Sequence, residues 1–206
     1  MGLIFAVSKR ASFQTSEIKA GRWTLGQNIF LQGKTLGLIG TGNIGQEVAR
    51  LGNALGMKVI AWTFNPSPQR SIDIGVEYVE LDELLSKSDV VSIQVRLSED
   101  STEMIGAREF GLMKSGAIFI NAGRGGLVKT QELVKALNSG HLGGAGLDTF
   151  DHEPLPPGHP ILSCEQVVMT PHIADQTPEG IELLNSGIID NVLSFLDGSP
   201  KNVANP

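Results

Sequence analysis

At 206 residues, 41% hydrophobic and 18% charged, the chain is long enough to bury roughly 70% of its unfolded surface around one core. A net charge of −6 argues against nucleic acid or an anionic membrane as a partner, and no apolar run approaches the ~20 residues of a membrane span. The single cysteine, Cys164, excludes an intramolecular disulfide and points to a reducing, cytoplasmic location.

The opening residues Met1-Gly2-Leu3-Ile4-Phe5-Ala6-Val7-Ser8-Lys9-Arg10 do not fit a signal peptide, because the apolar run is short and the charges follow it. Ala6 breaks the myristoylation pattern. Residues 8–22 are rich in Ser, Lys and Arg with one acid, Glu17, which leaves a transit peptide as an alternative reading.

Residues 34–63 read as strand, turn, helix and strand. Lys34-Thr35-Leu36-Gly37-Leu38-Ile39 is a short apolar strand, and Gly40-Thr41-Gly42-Asn43-Ile44-Gly45 turns into a helix. Ile44, Val48, Leu51 and Leu55 recur on it at helical spacing until Gly56, and Lys58-Val59-Ile60-Ala61-Trp62 supplies the next strand. In this setting Gly40 permits a tight turn, Gly42 lets the backbone approach a pyrophosphate, and Gly45 lets helix and strand pack closely. The helix start, at Asn43 and Ile44, offers unpaired N–H groups and a positive dipole end to phosphates. A dinucleotide fits this spacing better than S-adenosylmethionine does. Thr63 stands about twenty residues past the glycines, where an Asp or Glu would hold the ribose hydroxyls. NAD is the expected cofactor, and NADP is an alternative because no carboxylate repels a 2′-phosphate and Arg70 lies in the following loop.

Strands are expected at 76–79, 89–95, 117–121, 143–147 and 167–169, and helices at 81–87 and 107–113. Thr130 is expected to cap a helix through Asn138 that Gly140 stops, and residues 153–160 form a proline-rich loop. Thr177-Pro178 has the chemistry of a helix start, with Ile181, Leu184, Ile188, Val192 and Phe195 as a buried stripe and Gly198 as the stop. The alternation implies an α/β, Rossmann-type, doubly wound parallel sheet. Open sheets of this kind bind ligands at the carboxyl ends of their strands. Three such ends carry chemistry: Asn121-Ala122-Gly123-Arg124, Leu147-Asp148-Thr149-Phe150-Asp151-His152-Glu153-Pro154 and Thr170-Pro171-His172-Ile173. Taken singly, Arg124 reads as a surface charge, Glu153 as part of a turn and His172 as a packed imidazole. Converging on a dinucleotide, they could anchor an acid, tune a base and move a proton. His141, His152 and His159 lack ligand spacing, so no metal is expected.

These stretches resemble the D-isomer-specific 2-hydroxyacid dehydrogenases, specifically their nucleotide-binding domain. The match runs through residues 33–45, 113–125, 146–154 and 170–173, in the family's order. The resemblance implies an oxidoreductase transferring hydride between NAD(P)H and a small 2-oxo or 2-hydroxy acid. Arg124 would bind the substrate's carboxylate and carbonyl, and His172 would exchange a proton with the carbonyl oxygen. Glu153 would fix the imidazole's tautomer and favour its acid form. Gly40, Gly42, Asn43, Ile44, Gly45, Thr63, Ala122, Gly123 and Asp148 would hold the cofactor, Asp148 through the nicotinamide carboxamide. The chain departs from the family at Gln94 and Arg96, where His and Pro are usual, and at Asp175, where Gly is common.

In the resembled family a long N-terminal lobe plus the C-terminal tail form a substrate domain. The opening segment resembles the helix that joins the two domains. The expected division is therefore 1–30 as interdomain helix and linker, 31–176 as the dinucleotide-binding domain and 177–206 as the C-terminal interdomain helix and tail. Both end helices are expected to expose apolar surface suited to a homodimer or a partner chain. With that lobe absent, the alternative reading is a catalytically weak NAD(P)-binding module acting as a sensor or interaction protein.

Overall fold

The computed structural model describes residues 1–203. The chain divides into two compact units, Met1–His172 and Ile173–Pro206.

In the first unit, α1 (Gly2–Ser8) and α2 (Ala11–Lys19) precede the strand-helix alternation. That alternation runs β1 (Thr35–Ile39), α3 (Asn43–Ala54), β2 (Lys58–Trp62), α4 (Pro68–Ile74), β3 (Glu77–Tyr78), α5 (Leu81–Lys87) and β4 (Val90–Ile93). It continues with α6 (Ala107–Leu112), β5 (Ala117–Asn121), α7 (Thr130–Asn138), β6 (Leu142–Leu147) and β7 (Val167–Met169). The seven strands form one parallel sheet in the order β3-β2-β1-β4-β5-β6-β7. The chain winds outward from β1 to β3, then returns to lay β4 on the other side of β1. That return is the topological switch point, and it opens a crevice at the carboxyl ends of β1 and β4.

Strand pleating splits the apolar residues between two cores. On β5, Ala117 and Phe119 join the core containing Leu84, Phe110, Leu133 and Leu137 of α5, α6 and α7. Ile118 and Ile120 join the opposite core with Ile4 and Val7 of α1 and Val48 and Ala49 of α3. Burial on both faces explains why these strands read as unbroken apolar runs.

Several local expectations change. The face that α3 buries consists of Gly45, Val48, Ala49 and Gly52, while Ile44 and Leu51 are exposed. A Cβ on Gly52 would stand 2.8 Å from Leu36 Cδ2, so helix and sheet approach too closely for large residues there. Arg70 lies on α4, which Ser67 caps by accepting from the Arg70 N–H at 3.3 Å, rather than in a loop. Thr130 is the first residue of α7, after Lys129 at the cap. One side of the first helix is covered: Ile4 and Val7 are buried, and a Cβ on Gly144 would stand 2.7 Å from Val7 Cγ1. Apolar exposure near the start falls on Phe5 of α1, on Ile18 of α2 and, more heavily, on Trp23, Leu25 and Phe30 in the segment before β1.

The second unit contains α8 (Pro178–Leu196), started by Thr177, whose hydroxyl accepts from the Gly180 N–H at 3.0 Å. Ile181, Leu184, Ile188, Val192 and Phe195 are exposed rather than a buried stripe. Leu183, Ile189, Leu193 and Leu196 are exposed as well, so the exposed apolar surface is wider than that stripe. No described helix is long and apolar enough to cross a membrane.

Candidate active site

The glycine turn after β1 does three separate jobs. Gly40 sits at φ +105°, and a Cβ there would come within 3.0 Å of the Val95 nitrogen and the Gln94 carbonyl carbon. Gly45 packs its α-carbon on the turn, since a Cβ would lie 2.2 Å from Gly40 O. Gly42, the N-cap of α3, has ordinary dihedrals, and a Cβ on it would meet nothing within 4 Å. Its lack of a side chain leaves open space at the start of α3, whose first N–H groups have no intrahelical partner. Such a cradle, at the positive end of a twelve-residue helix, fits a dinucleotide's pyrophosphate.

Thr63 follows β2 and is partly buried, and Phe64 packs edge-on against Trp62 with ring centroids 4.8 Å apart. No acidic residue occurs between Thr63 and Ile72. The Arg70 guanidinium donates to Asn65 O at 3.3 Å, and the residue is partly buried.

Between the turn and the end of β5 lies a cavity of about 310 Å³, lined by Ile44, residues 94–97, Ala122, Gly123 and Arg124. Buried Asn121 shapes the loop that carries Arg124 into it. Its side-chain amide donates to Arg124 O at 2.9 Å, and its side-chain oxygen accepts from the Gly123 N–H at 3.0 Å. Arg124 in turn donates from Nη1 to Gly123 O at 2.7 Å. Sequence reasoning missed Asn121; its one signal is a polar residue ending an otherwise apolar strand.

Asp148 is buried just past the end of β6, where its N–H donates to Asn121 O at 2.9 Å and its carboxylate accepts from the Thr170 hydroxyl. Two residues on, the Phe150 N–H donates to Glu153 Oε1 at 2.8 Å. The other carboxylate oxygen, Oε2, lies 2.8 Å from His172 Nδ1. With a carboxylate as acceptor, Nδ1 carries the hydrogen and Nε2 is left for proton exchange. The His172 hydrogen bond, the Phe150 N–H, and the charges of His172 and Arg124 hold the Glu153 carboxyl below its usual range. Arg124 thus acts electrostatically on the carboxylate that orients the imidazole, although Glu153 and His172 do not line the 310 Å³ cavity. His172 occupies the left-handed region at φ 53°, a conformation costing a side-chain-bearing residue roughly 1–3 kcal/mol.

The loop bearing Glu153 has a second anchor that the sequence did not suggest. Asp151 binds the Thr130 side chain and lies 3.2 Å from His159 Nε2. Thr130, the first residue of α7, thus uses its side chain to hold this loop rather than to cap the helix. Cys164 is buried, and desolvation pushes its thiol up, away from the reactive thiolate form. Among the described residues no group of three or more His, Cys, Asp or Glu side chains is placed to hold a metal.

Comparison with known proteins follows the same outline. Residues 1–174 match the family described as D-isomer specific 2-hydroxyacid dehydrogenase, NAD binding domain. A glyoxylate reductase of Aeropyrum pernix is 36% identical over 213 residues, covering 98% of this chain and 64% of that protein. The crystal structure of D-lactate dehydrogenase with NAD+ from Lactobacillus jensenii superposes with a TM-score of 0.89 at 26% identity, covering 100% of this chain and 66% of that one. An acyclic imino acid reductase in complex with NADPH and D-Arg also gives 0.89, at 31% identity, covering 99% of this chain and 65% of that one. The chain therefore spans slightly under two thirds of the length of the relatives it matches.

Proposed function

Because the chain belongs to the D-isomer-specific 2-hydroxyacid dehydrogenase family, through its NAD-binding domain, we propose that it serves hydride transfer between NAD(P)H and a small 2-oxo or 2-hydroxy acid. The observation that carries this reading is the 2.8 Å bond between Glu153 and His172. It stands on the same carboxyl edge as the open cradle at Gly42.

In this reading Gly40, Gly42, Asn43, Ile44 and Gly45 hold the pyrophosphate, Thr63 faces the ribose, and Ala122, Gly123 and Asp148 face the nicotinamide. Bound there, the dinucleotide supplies or accepts the hydride. The chain's own residues manage charge and protons. Arg124 engages the substrate carboxylate and polarises the neighbouring carbonyl, a task suited to a planar guanidinium. His172 gives a proton from Nε2 to the carbonyl oxygen during reduction and takes it back in oxidation. Glu153 does not exchange that proton; it keeps Nδ1 protonated and offsets the imidazolium charge as that charge forms.

Around this site we propose the division 1–30, 31–176 and 177–206, with the two end segments serving an interdomain or intersubunit surface. Exposed Trp23, Leu25 and Phe30 support a homodimer or a partner chain. One observation favours a second reading. The His172 and Glu153 side chains are 41% and 36% exposed, which admits water to a step that needs its exclusion. A domain in that state would bind NAD(P)H as a sensor or interaction module with little turnover.

NADH and NADPH titrations, followed by NADH-oxidation assays with glyoxylate, pyruvate and hydroxypyruvate, test both readings. Oxidation abolished by His172→Ala with cofactor affinity retained supports the enzyme. Binding without oxidation supports the module, and absence of binding overturns both.

A further inference from the structure

The second guanidinium in the cavity is unassigned by anything above. Arg96 follows β4, whose end is level with those of both neighbours: Ile93 pairs with Ile39 of β1 and with Asn121 of β5. The segment carrying Arg96 therefore crosses from the glycine turn to the Arg124 loop. Its path is fixed at both sides. A Cβ on Gly40 would stand 2.9 Å from Val95 Cγ1, and one on Gly123 would stand 3.5 Å from Val95 O. Arg96 O accepts from the Ser101 hydroxyl at 2.7 Å, and that hydroxyl also accepts from the Ser98 N–H at 2.8 Å. The backbone is thus held while the side chain lines the 310 Å³ cavity.

Three of the other arginines pair with acids, while Arg10 lies over the Phe13 ring and Arg70 and Arg124 donate to backbone carbonyls. Arg22 pairs with Glu17, Arg50 with Glu47 and Arg108 with Asp82 and Glu109. Among the described residues the Arg96 guanidinium makes no ion pair and no hydrogen bond, and no acid lines its cavity. In a chain of net charge −6, an unpartnered cation beside Arg124 and the start of α3 concentrates positive charge in one recess.

We infer that Arg96 is an anion-binding residue that contacts the pyrophosphate of the bound dinucleotide, adding a charged ligand to a cradle otherwise made of backbone N–H groups. This rests on the dinucleotide reading above. A second anionic group on the substrate is the other source of the same chemistry. The packing of residues 94 and 95 on Gly40 favours the diphosphate, because that turn forms the phosphate cradle, and Arg124 already serves a carboxylate.

Calorimetric titration of wild type, Arg96→Gln and Arg96→Lys with NADH, ADP-ribose and AMP tests the inference. ADP-ribose keeps the diphosphate and lacks nicotinamide; AMP lacks the diphosphate. Arg96→Gln is expected to weaken NADH and ADP-ribose about tenfold, as loss of one charge-assisted contact should, and to leave AMP within about twofold. Arg96→Lys should retain part of the affinity, and the loss in Arg96→Gln should shrink in high salt. ADP-ribose binding equally well to Arg96→Gln would overturn the inference and return Arg96 to the substrate side. An equal loss for AMP would overturn it too, by placing Arg96 against the adenosine half. Wild type binding neither NADH nor ADP-ribose would remove the dinucleotide reading itself, a result distinct from both.

Discussion

A Cβ on Gly125 would stand 1.9 Å from the carbonyl carbon of Phe150, so the loop bearing Arg124 rests directly on the segment that leads to Glu153. Phe150 also donates its N–H to Glu153 Oε1 at 2.8 Å. The substrate-anchoring and proton-handling sides of the proposed site are therefore joined through backbone, where nothing can rotate away. Gly125→Ala is expected to cost about 1–3 kcal/mol or more, as overpacking against a rigid neighbour does. Urea denaturation measures it, and a variant as stable as wild type would mean the two loops are not held together here.

Gly42 and Gly45 should separate a binding effect from a folding one. A methyl group at Gly42 meets nothing within 4 Å and suffers no backbone strain, yet it enters the space assigned to the pyrophosphate. Gly42→Ala is expected to keep stability within about 0.5 kcal/mol and to weaken NADH at least about tenfold. A methyl group at Gly45 would strike Gly40 O at 2.2 Å, so Gly45→Ala should lose about 1–3 kcal/mol of stability as well. Paired denaturation and cofactor titrations check both. Unchanged NADH affinity in Gly42→Ala would show that the cradle is not where phosphate sits.

The contrast between those glycines shows where sequence patterns carry information and where they stop. Apolar runs such as residues 117–121 identified strands, and the glycine turn with its flanking elements located the switch point. The order of the polar clusters brought Glu153 and His172 to one edge. Patterns of hydrophobicity failed where contact distance rather than polarity sets the face. On α3 large Ile44 and Leu51 are exposed because only small residues fit between helix and sheet. On α8 the periodic apolar face is exposed, so the pattern located a face and not its burial. The supports of the site were also invisible, since the bonds of Asn121 to Gly123 and Arg124 depend on how the chain bends after β5.

Acid should weaken the Glu153–His172 link in a defined window. The Glu153 carboxyl is held below its ordinary value of 4.5, chiefly by the His172 hydrogen bond. A carboxylate depressed on folding stabilises the native state fully above its unfolded value. That contribution fades as pH falls from about 4.5 through the lower folded value. Both side chains are more than a third exposed, so solvent screening limits the effect to about 0.5–1 kcal/mol. The difference in melting temperature between wild type and Glu153→Gln should be largest near neutral pH and shrink below about pH 4.5. A difference that stays constant down to pH 3 would show that the carboxylate's charge is not what stabilises the pair.

Cofactor choice turns on Thr63. A carboxylate at the end of β2 would bind the ribose hydroxyls of NAD and repel a 2′-phosphate. Thr63 can do only the first, and with a weaker neutral hydrogen bond. With no acid from residue 63 to residue 72 and Arg70 partly buried on α4, the electrostatics admit NADPH at little cost. The wild-type chain is therefore expected to bind NADPH as well as NADH at low salt. Thr63→Asp should change this, shifting the affinity ratio toward NADH by about tenfold or more, since it adds a charge-assisted bond to one cofactor and a repulsion against the other. Arg70→Gln should weaken NADPH while sparing NADH, and the NADPH loss should diminish as salt rises. If fluorescence titration finds NADH bound much more tightly by the unmodified chain, the ribose end is read by a group other than these two residues.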